Sequence, residues 1–156
     1  METTRHFCGT VYVVCEGAVA LHDHEKLGMW LPAGGHVDRD ELPHEAALRE
    51  TEEETGLEVT LHAEDGGIDT DTVRSVPEPR HVLLEDINVH PDGEVGHQHI
   101  DFIFFATADS REIDPEPGET PAEKWEWFDA ERLEAERDRL EPDVVELGLQ
   151  AIEELG

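Results

Sequence analysis

The sequence predicts a single mixed α/β domain, and three observations carry that expectation. Its 156 residues suit one compact domain spanning residues 1–156. Segments rich in β-branched and aromatic residues alternate with segments of helical spacing along the whole chain. Neither an internal repeat nor an apolar run of about 18 residues or more interrupts that order.

Phe7 to Cys15 (FCGTVYVVC) and Ala18 to His22 read as two strands joined by a tight turn at Glu16-Gly17. Leu31 to Asp40 (LPAGGHVDRD) reads as a loop, its Gly34-Gly35 pair marking a bend where side chains would clash. A helix follows from Leu42 to Thr55. Pro43 sits in its first turn, Ala46, Ala47 and Leu48 favour helix, and Gly56 stops it. Leu57, Val59 and Leu61 alternate with polar residues as a further strand, before an acidic loop from Glu64 to Thr72. His81 to Val89 and His99 to Ala108 form a hairpin about the turn at Pro91 to Gly93. The proline-rich loop Asp114 to Pro121 leads into a short strand, Trp125 to Phe128. From Ala130 the chain reads as one or two helices broken at Pro142, the last with Val144, Leu147, Ala151 and Leu155 on one stripe.

Charge narrows the function. The chain carries 40 Asp and Glu against 11 Lys and Arg, a formal net charge of -29. A general nucleic-acid binder needs a basic stripe, and anionic lipid would repel this surface, so both partner classes are excluded. A phosphate-bearing partner would need a cation between itself and the protein. The acidic residues are spread through the chain, and lysine is scarce beside arginine, which points to a surface adapted to a salt-rich, halophilic cytoplasm. METTRHFCGT lacks the basic and apolar regions of a signal peptide, so the cytoplasm is the expected location. Cys8 and Cys15 are too few for a disulfide scaffold and read as buried thiols in a strand.

The chemistry is concentrated between Gly35 and Leu57, GHVDRDELPHEAALRETEEETGL. Glu50, Glu53 and Glu54 stand at i, i+3 and i+4, so three like charges emerge on one helical face. Such a grouping costs stability unless a divalent cation reverses the sign of the interaction. Carboxylate oxygens suit Mg²⁺ or Mn²⁺. Arg49 lies four residues from both Glu45 and Glu53 and can pair with either, holding a metal-facing carboxylate in one orientation. The Gly-Gly loop can bring Glu41 to the same cluster.

These residues resemble the signature of the Nudix hydrolases, G-x5-E-x7-R-E-U-x-E-E-x-G-U, where U is a bulky apolar residue. Gly35, Glu41, Arg49, Glu50, Glu53, Glu54, Gly56 and Leu57 match it, the flanking LPAGGH is similar to the family, and Thr51 departs from the usual apolar residue. The resemblance implies a Nudix-type α/β/α sandwich with a mixed central sheet. It implies metal-dependent hydrolysis of the pyrophosphate linkage in a nucleoside diphosphate joined to another moiety, by a monomer or homodimer. It implies Glu50, Glu53 and Glu54 as metal ligands, Glu41 and Arg49 as part of the catalytic arrangement, and Gly34 and Gly35 near the substrate. One of the three glutamates, or Glu94 before His97, is the candidate general base. A non-catalytic Nudix-like sensor of a nucleotide or metabolite is the alternative, although a sensor need not keep these glutamates. Isopentenyl diphosphate isomerase shares the fold, but Cys8 and Cys15 lack its motif.

His97, His99 and Asp101 alternate along a strand, as do His22 and His24. Surface or substrate-contact roles rank ahead of a transition-metal site for them, with His99 or Asp101 expected to line the cleft. Trp30, Trp125 and Trp127 rank as core residues ahead of base-stacking platforms.

Overall fold

The computed structural model describes residues 2–156. Eight strands form one mixed sheet: β1 (Thr4–Cys15), β2 (Ala18–His24), β3 (Met29–Leu31), β4 (Ala33–His36), β5 (Val59–Leu61), β6 (His81–Val89), β7 (Val95–Ala108) and β8 (Trp125–Asp129). Three helices accompany them, α1 (Pro43–Thr55), α2 (Ala130–Ala135) and α3 (Pro142–Leu155).

β1 is the axis of the sheet. It runs parallel to β7 from Thr4↔His97 to Val14↔Thr107. On its other side it pairs antiparallel first with β4, from Cys8↔His36 to Val11↔Ala33, and then with β2 at Val14↔Val19. β2 carries β3 and β8, while β7 carries β5 and β6.

The period of two along β1 and β7 sorts their side chains into two cores. Val11, Val13, Phe104 and Ala106 pack beneath α1 with Ala47 and Leu57. Their neighbours Tyr12, Val14, Ile103 and Phe105 face α2 and α3, against Leu133, Val144, Leu147 and Ala151. Helices therefore cover both faces of one mixed sheet, the expected sandwich. Leu155 packs at the edge of the second core, completing the stripe read from the sequence.

The segment Leu31 to Asp40 differs from the expected loop. Its first half is not loop but β3 and β4 on either side of Pro32. Proline and two glycines weaken strand propensity, yet pairing with β1 and β2 supplies hydrogen bonds that local sequence does not advertise. The last strand of the hairpin also begins earlier than expected, at Val95.

Trp125 is buried, and Trp30 and Trp127 pack against the cores, so the tryptophans act as core residues. Cys8 and Cys15 are buried free thiols in β1. Among the described residues no helix is long and apolar enough to cross a membrane.

Candidate active site

α1 is positioned at both ends. At its start, Leu42 N–H donates to the Glu45 carboxylate at 2.8 Å, which closes the first turn. Glu45 is thereby used as a cap, and of the two glutamates four residues from Arg49 it is Glu53 that pairs with it. At its end Gly56 takes a left-handed conformation (φ 69°), and its N–H donates to the Glu52 carbonyl at 2.8 Å. The backbone N–H groups of Asp114 and Glu116 donate to the Thr55 and Glu53 carbonyls, so the proline-rich loop docks on the last turn. Thr51 is buried and donates its hydroxyl to the Ala47 carbonyl at 2.7 Å, so its departure from the motif leaves no unpaired polar group.

Arg49 organises the acidic face. Its Nε and Nη2 donate to the two oxygens of Glu41 at 2.6 and 2.9 Å, a bidentate pair reaching back to the loop before the helix. Its Nη1 donates to Glu50 at 3.0 Å and to Glu53 at 3.2 Å. Nη2 also reaches the His36 carbonyl of β4 at 3.2 Å. One guanidinium thus gathers three of the four motif carboxylates, and its hydrogen bonds hold Glu41 below its ordinary pKa.

Glu54 is held separately by the Gly34 N–H, which donates to it at 3.0 Å. Burial, reinforced by the charges of Glu50, Glu119 and Glu53, pushes Glu54 up to about 8 against that hydrogen bond. Burial also raises Glu50, with Arg49 opposing. A cation placed here would favour the charged carboxylates against burial and, secondarily, against their mutual repulsion. Gly35 makes the close approach possible: a Cβ on it would sit 2.5 Å from the Glu50 carboxyl carbon.

The structure adds Glu119 to this group: it lines a smaller cavity of about 370 Å³ together with Glu54, and its like charge is among the causes that raise Glu50 and Glu54. Its loop carries no periodic pattern, and only the docking of Asp114 and Glu116 on α1 brings it there. Glu94 is not brought to the cluster. His97 lies opposite Thr4, five residues along β1 from Gly9, the partner of Gly35, and Glu94 lies beyond it in the hairpin turn. At roughly 3.3 Å per residue this separates Glu94 from Gly35 by more than about 15 Å of strand.

A cleft of about 780 Å³ opens beside the carboxylates, and Gly34, Gly35, Glu54, His99, Asp101 and Glu85 contribute to its lining. Asp101 is buried and accepts the Thr10 hydroxyl at 2.7 Å. Burial is the main cause raising both Glu85 and Asp101; their close approach raises Glu85 further, and Asp143 adds like charge to both. Above the ordinary glutamate value of 4.5 the folded protein retains a proton that the unfolded chain releases, so stability falls as pH rises through the raised pKa. Buried His22, lowered to about 4, acts in the opposite sense only below its ordinary 6.5. Thermal melts between about pH 6.5 and pH 9.5 will show a declining midpoint, less steep in Glu85→Gln, with Glu54 contributing the remainder up to about pH 8. An equal decline in that variant would contradict the assignment.

The NUDIX domain pattern matches residues 9–147. A hydrolase of the NUDIX family from Clostridium perfringens has a similar structure, with TM-score 0.84 and 34% identity over 98% of this chain and 99% of that one. The fold is shared with a Caenorhabditis elegans Ap4A hydrolase (TM-score 0.58, 19% identity, 98% of each chain). It is also shared with the Escherichia coli dihydroneopterin triphosphate pyrophosphohydrolase (TM-score 0.60, 18% identity, 99% of this chain and 97% of that one). No curated protein matches the chain.

Proposed function

The chain belongs to the Nudix hydrolase family, and from that premise we propose that it hydrolyses the pyrophosphate linkage of a nucleoside diphosphate joined to a nucleotide, a sugar or another moiety. The carrying observation is the group formed by Glu41, Glu50 and Glu53 about Arg49, with Glu54 beside them at a cleft large enough for such a molecule.

A divalent ion, Mg²⁺ or Mn²⁺, fits these residues. Every donor is a carboxylate oxygen, the set that hard cations take, and Gly35 leaves free the space beside Glu50 that a Cβ would fill. Glu50, Glu53 and Glu54 would hold it. When bound, it offsets phosphate charge, polarises the phosphoryl oxygens and lowers the pKa of attacking water. Arg49 is a positioning residue: it fixes Glu50 and Glu53 while Glu41 fixes Arg49. The backbone at Gly34 and Gly35 forms the wall against which the diphosphate lies, and His99 lines the substrate side of the cleft.

Glu119 is the proton acceptor in this reading. Arg49 engages Glu41, Glu50 and Glu53, and Gly34 engages Glu54. Among the described residues none donates a hydrogen bond to the Glu119 carboxylate. Glu119→Gln will lower kcat by about 10²–10³-fold while Mn²⁺ affinity, read by electron paramagnetic resonance, stays unchanged. A matching loss of Mn²⁺ affinity would make Glu119 a ligand instead.

Arg49→Lys keeps the charge but loses the planar fork that spans Glu41, Glu50 and Glu53. It will lower kcat by about 10–100-fold with little change in KM. Unchanged kcat would remove Arg49 from the arrangement. The overall reading is tested with nucleotide sugars, ADP-ribose, dinucleoside polyphosphates and (d)NTPs, each with Mg²⁺ at high salt, scored for phosphorylated products. Turnover abolished by chelator and restored by Mg²⁺ is expected. The absence of turnover across the panel, with the protein folded, would favour a non-catalytic sensor. The isomerase reading is weakened by Cys8, whose thiol is pushed up to about 12 by burial and by the nearby Asp101, Glu85 and Glu50 charges, a poor source of reactive thiolate.

A further inference from the structure

Four imidazoles from three strands converge where β4, β1 and β7 lie side by side. The parallel register sets His6 of β1 opposite His99 of β7, and the antiparallel register sets His36 of β4 opposite Cys8, two residues farther along β1. The rings of His6 and His36 are 4.9 Å apart between centroids, and those of His36 and His99 5.2 Å. His97 closes the group at 4.6 Å from His6 and 5.2 Å from His99, with its Nδ1 hydrogen-bonded to the Thr4 hydroxyl at 2.7 Å.

One ring nitrogen from each of His6, His36 and His99 lies within 4.8 Å of the other two. A tetrahedral ion with metal–nitrogen bonds of about 2.0–2.1 Å needs nitrogens about 3.3–3.4 Å apart, which small ring rotations can supply. Among the described residues none hydrogen-bonds a ring nitrogen of these three histidines. Protonated, they would repel one another; neutral, they present lone pairs to a common point. Burial, with the neighbouring histidines, lowers His99 in that direction.

We propose that His6, His36 and His99 bind a divalent transition-metal ion of the Zn²⁺ class at a site distinct from the carboxylate cluster. Imidazole donors select Zn²⁺, Ni²⁺, Co²⁺ or Cu²⁺, whereas the oxygen-only cluster suits Mg²⁺. The two sites adjoin through β4: Arg49 donates to the His36 carbonyl at 3.2 Å, and His36 and His99 also line the cleft. The ion therefore sits at the rim of the cleft, held by side chains accessible to solvent at His6 and His36.

Co²⁺ is the probe, titrated into the full chain with Mg²⁺ saturating the carboxylates. One equivalent is expected to give the intense visible absorption of a four-coordinate Co²⁺ ion, displaced by Zn²⁺. His6→Ala will weaken Co²⁺ binding by more than about 100-fold. His6→Cys will restore it with a new sulfur-to-cobalt charge-transfer band, which guards against misfolding as the cause of the first loss. Glu53→Gln will leave the visible band in place. Weak six-coordinate absorption, persistence of the band in His6→Ala, or its loss in Glu53→Gln would overturn the proposal. None of these readouts requires turnover, so failure here and failure of the hydrolase reading are separable.

Discussion

Glu53→Gln lowers turnover by about 10²–10⁴-fold at saturating Mg²⁺ while the protein remains folded. Glutamine keeps the size of the side chain and an oxygen that can still accept from Arg49, now 3.2 Å away. It removes the charge that a cation needs, and it relieves repulsion with Glu50 and Glu54, which stand three residues before and one after it. Thermal stability without metal should therefore be unchanged or slightly higher. The pairing of lost activity with retained stability separates a ligand from a structural residue. Full activity in this variant would displace the site from α1.

Gly56→Ala is expected to have the largest effect on the fold. Its φ of 69° is unfavourable for a residue with a Cβ, and a Cβ built there would lie 2.4 Å from the Asp114 carbonyl oxygen. The obstruction is backbone, so no side-chain rotation relieves it. Left-handed strain and the displaced loop together should cost about 2–4 kcal/mol, read as a lowered unfolding midpoint in urea. Activity falls too, because moving Asp114 and Glu116 away from α1 carries Glu119 from Glu50 and Glu54. An unchanged midpoint would show that the loop can retreat without cost.

The legible parts of this protein are those in which spacing dictates geometry. Glu50, Glu53 and Glu54 had to share a helical face, and the β-branched and aromatic runs Phe7 to Cys15 and His99 to Ala108 had to be strands. Arg49 was visible as an anchor, but its main partner was not. Glu41 lies eight residues away and meets it only because the loop folds back onto the helix, while Glu45 turns to the helix start. β4 was hidden by Pro32, Gly34 and Gly35, whose weak strand preference is overridden by pairing with β1. Glu119 was hidden because its position depends on a loop docking at Gly56 rather than on any local pattern. The histidine group joins residues as far apart in sequence as His6 and His99, and only the parallel register of β1 with β7 unites them.

On the hydrolase reading the α1 carboxylates direct water to a phosphoric anhydride. The most direct measurement of that role is turnover of a substrate from the nucleoside diphosphate panel in ¹⁸O-labelled water with Mg²⁺, with mass analysis of both products. One ¹⁸O is expected in one phosphorylated product per cleavage in the native protein, with cleavage reduced by about 10²–10⁴-fold in Glu53→Gln. Products free of ¹⁸O, or equal rates of labelled product from the two proteins, would remove the α1 carboxylates from that role.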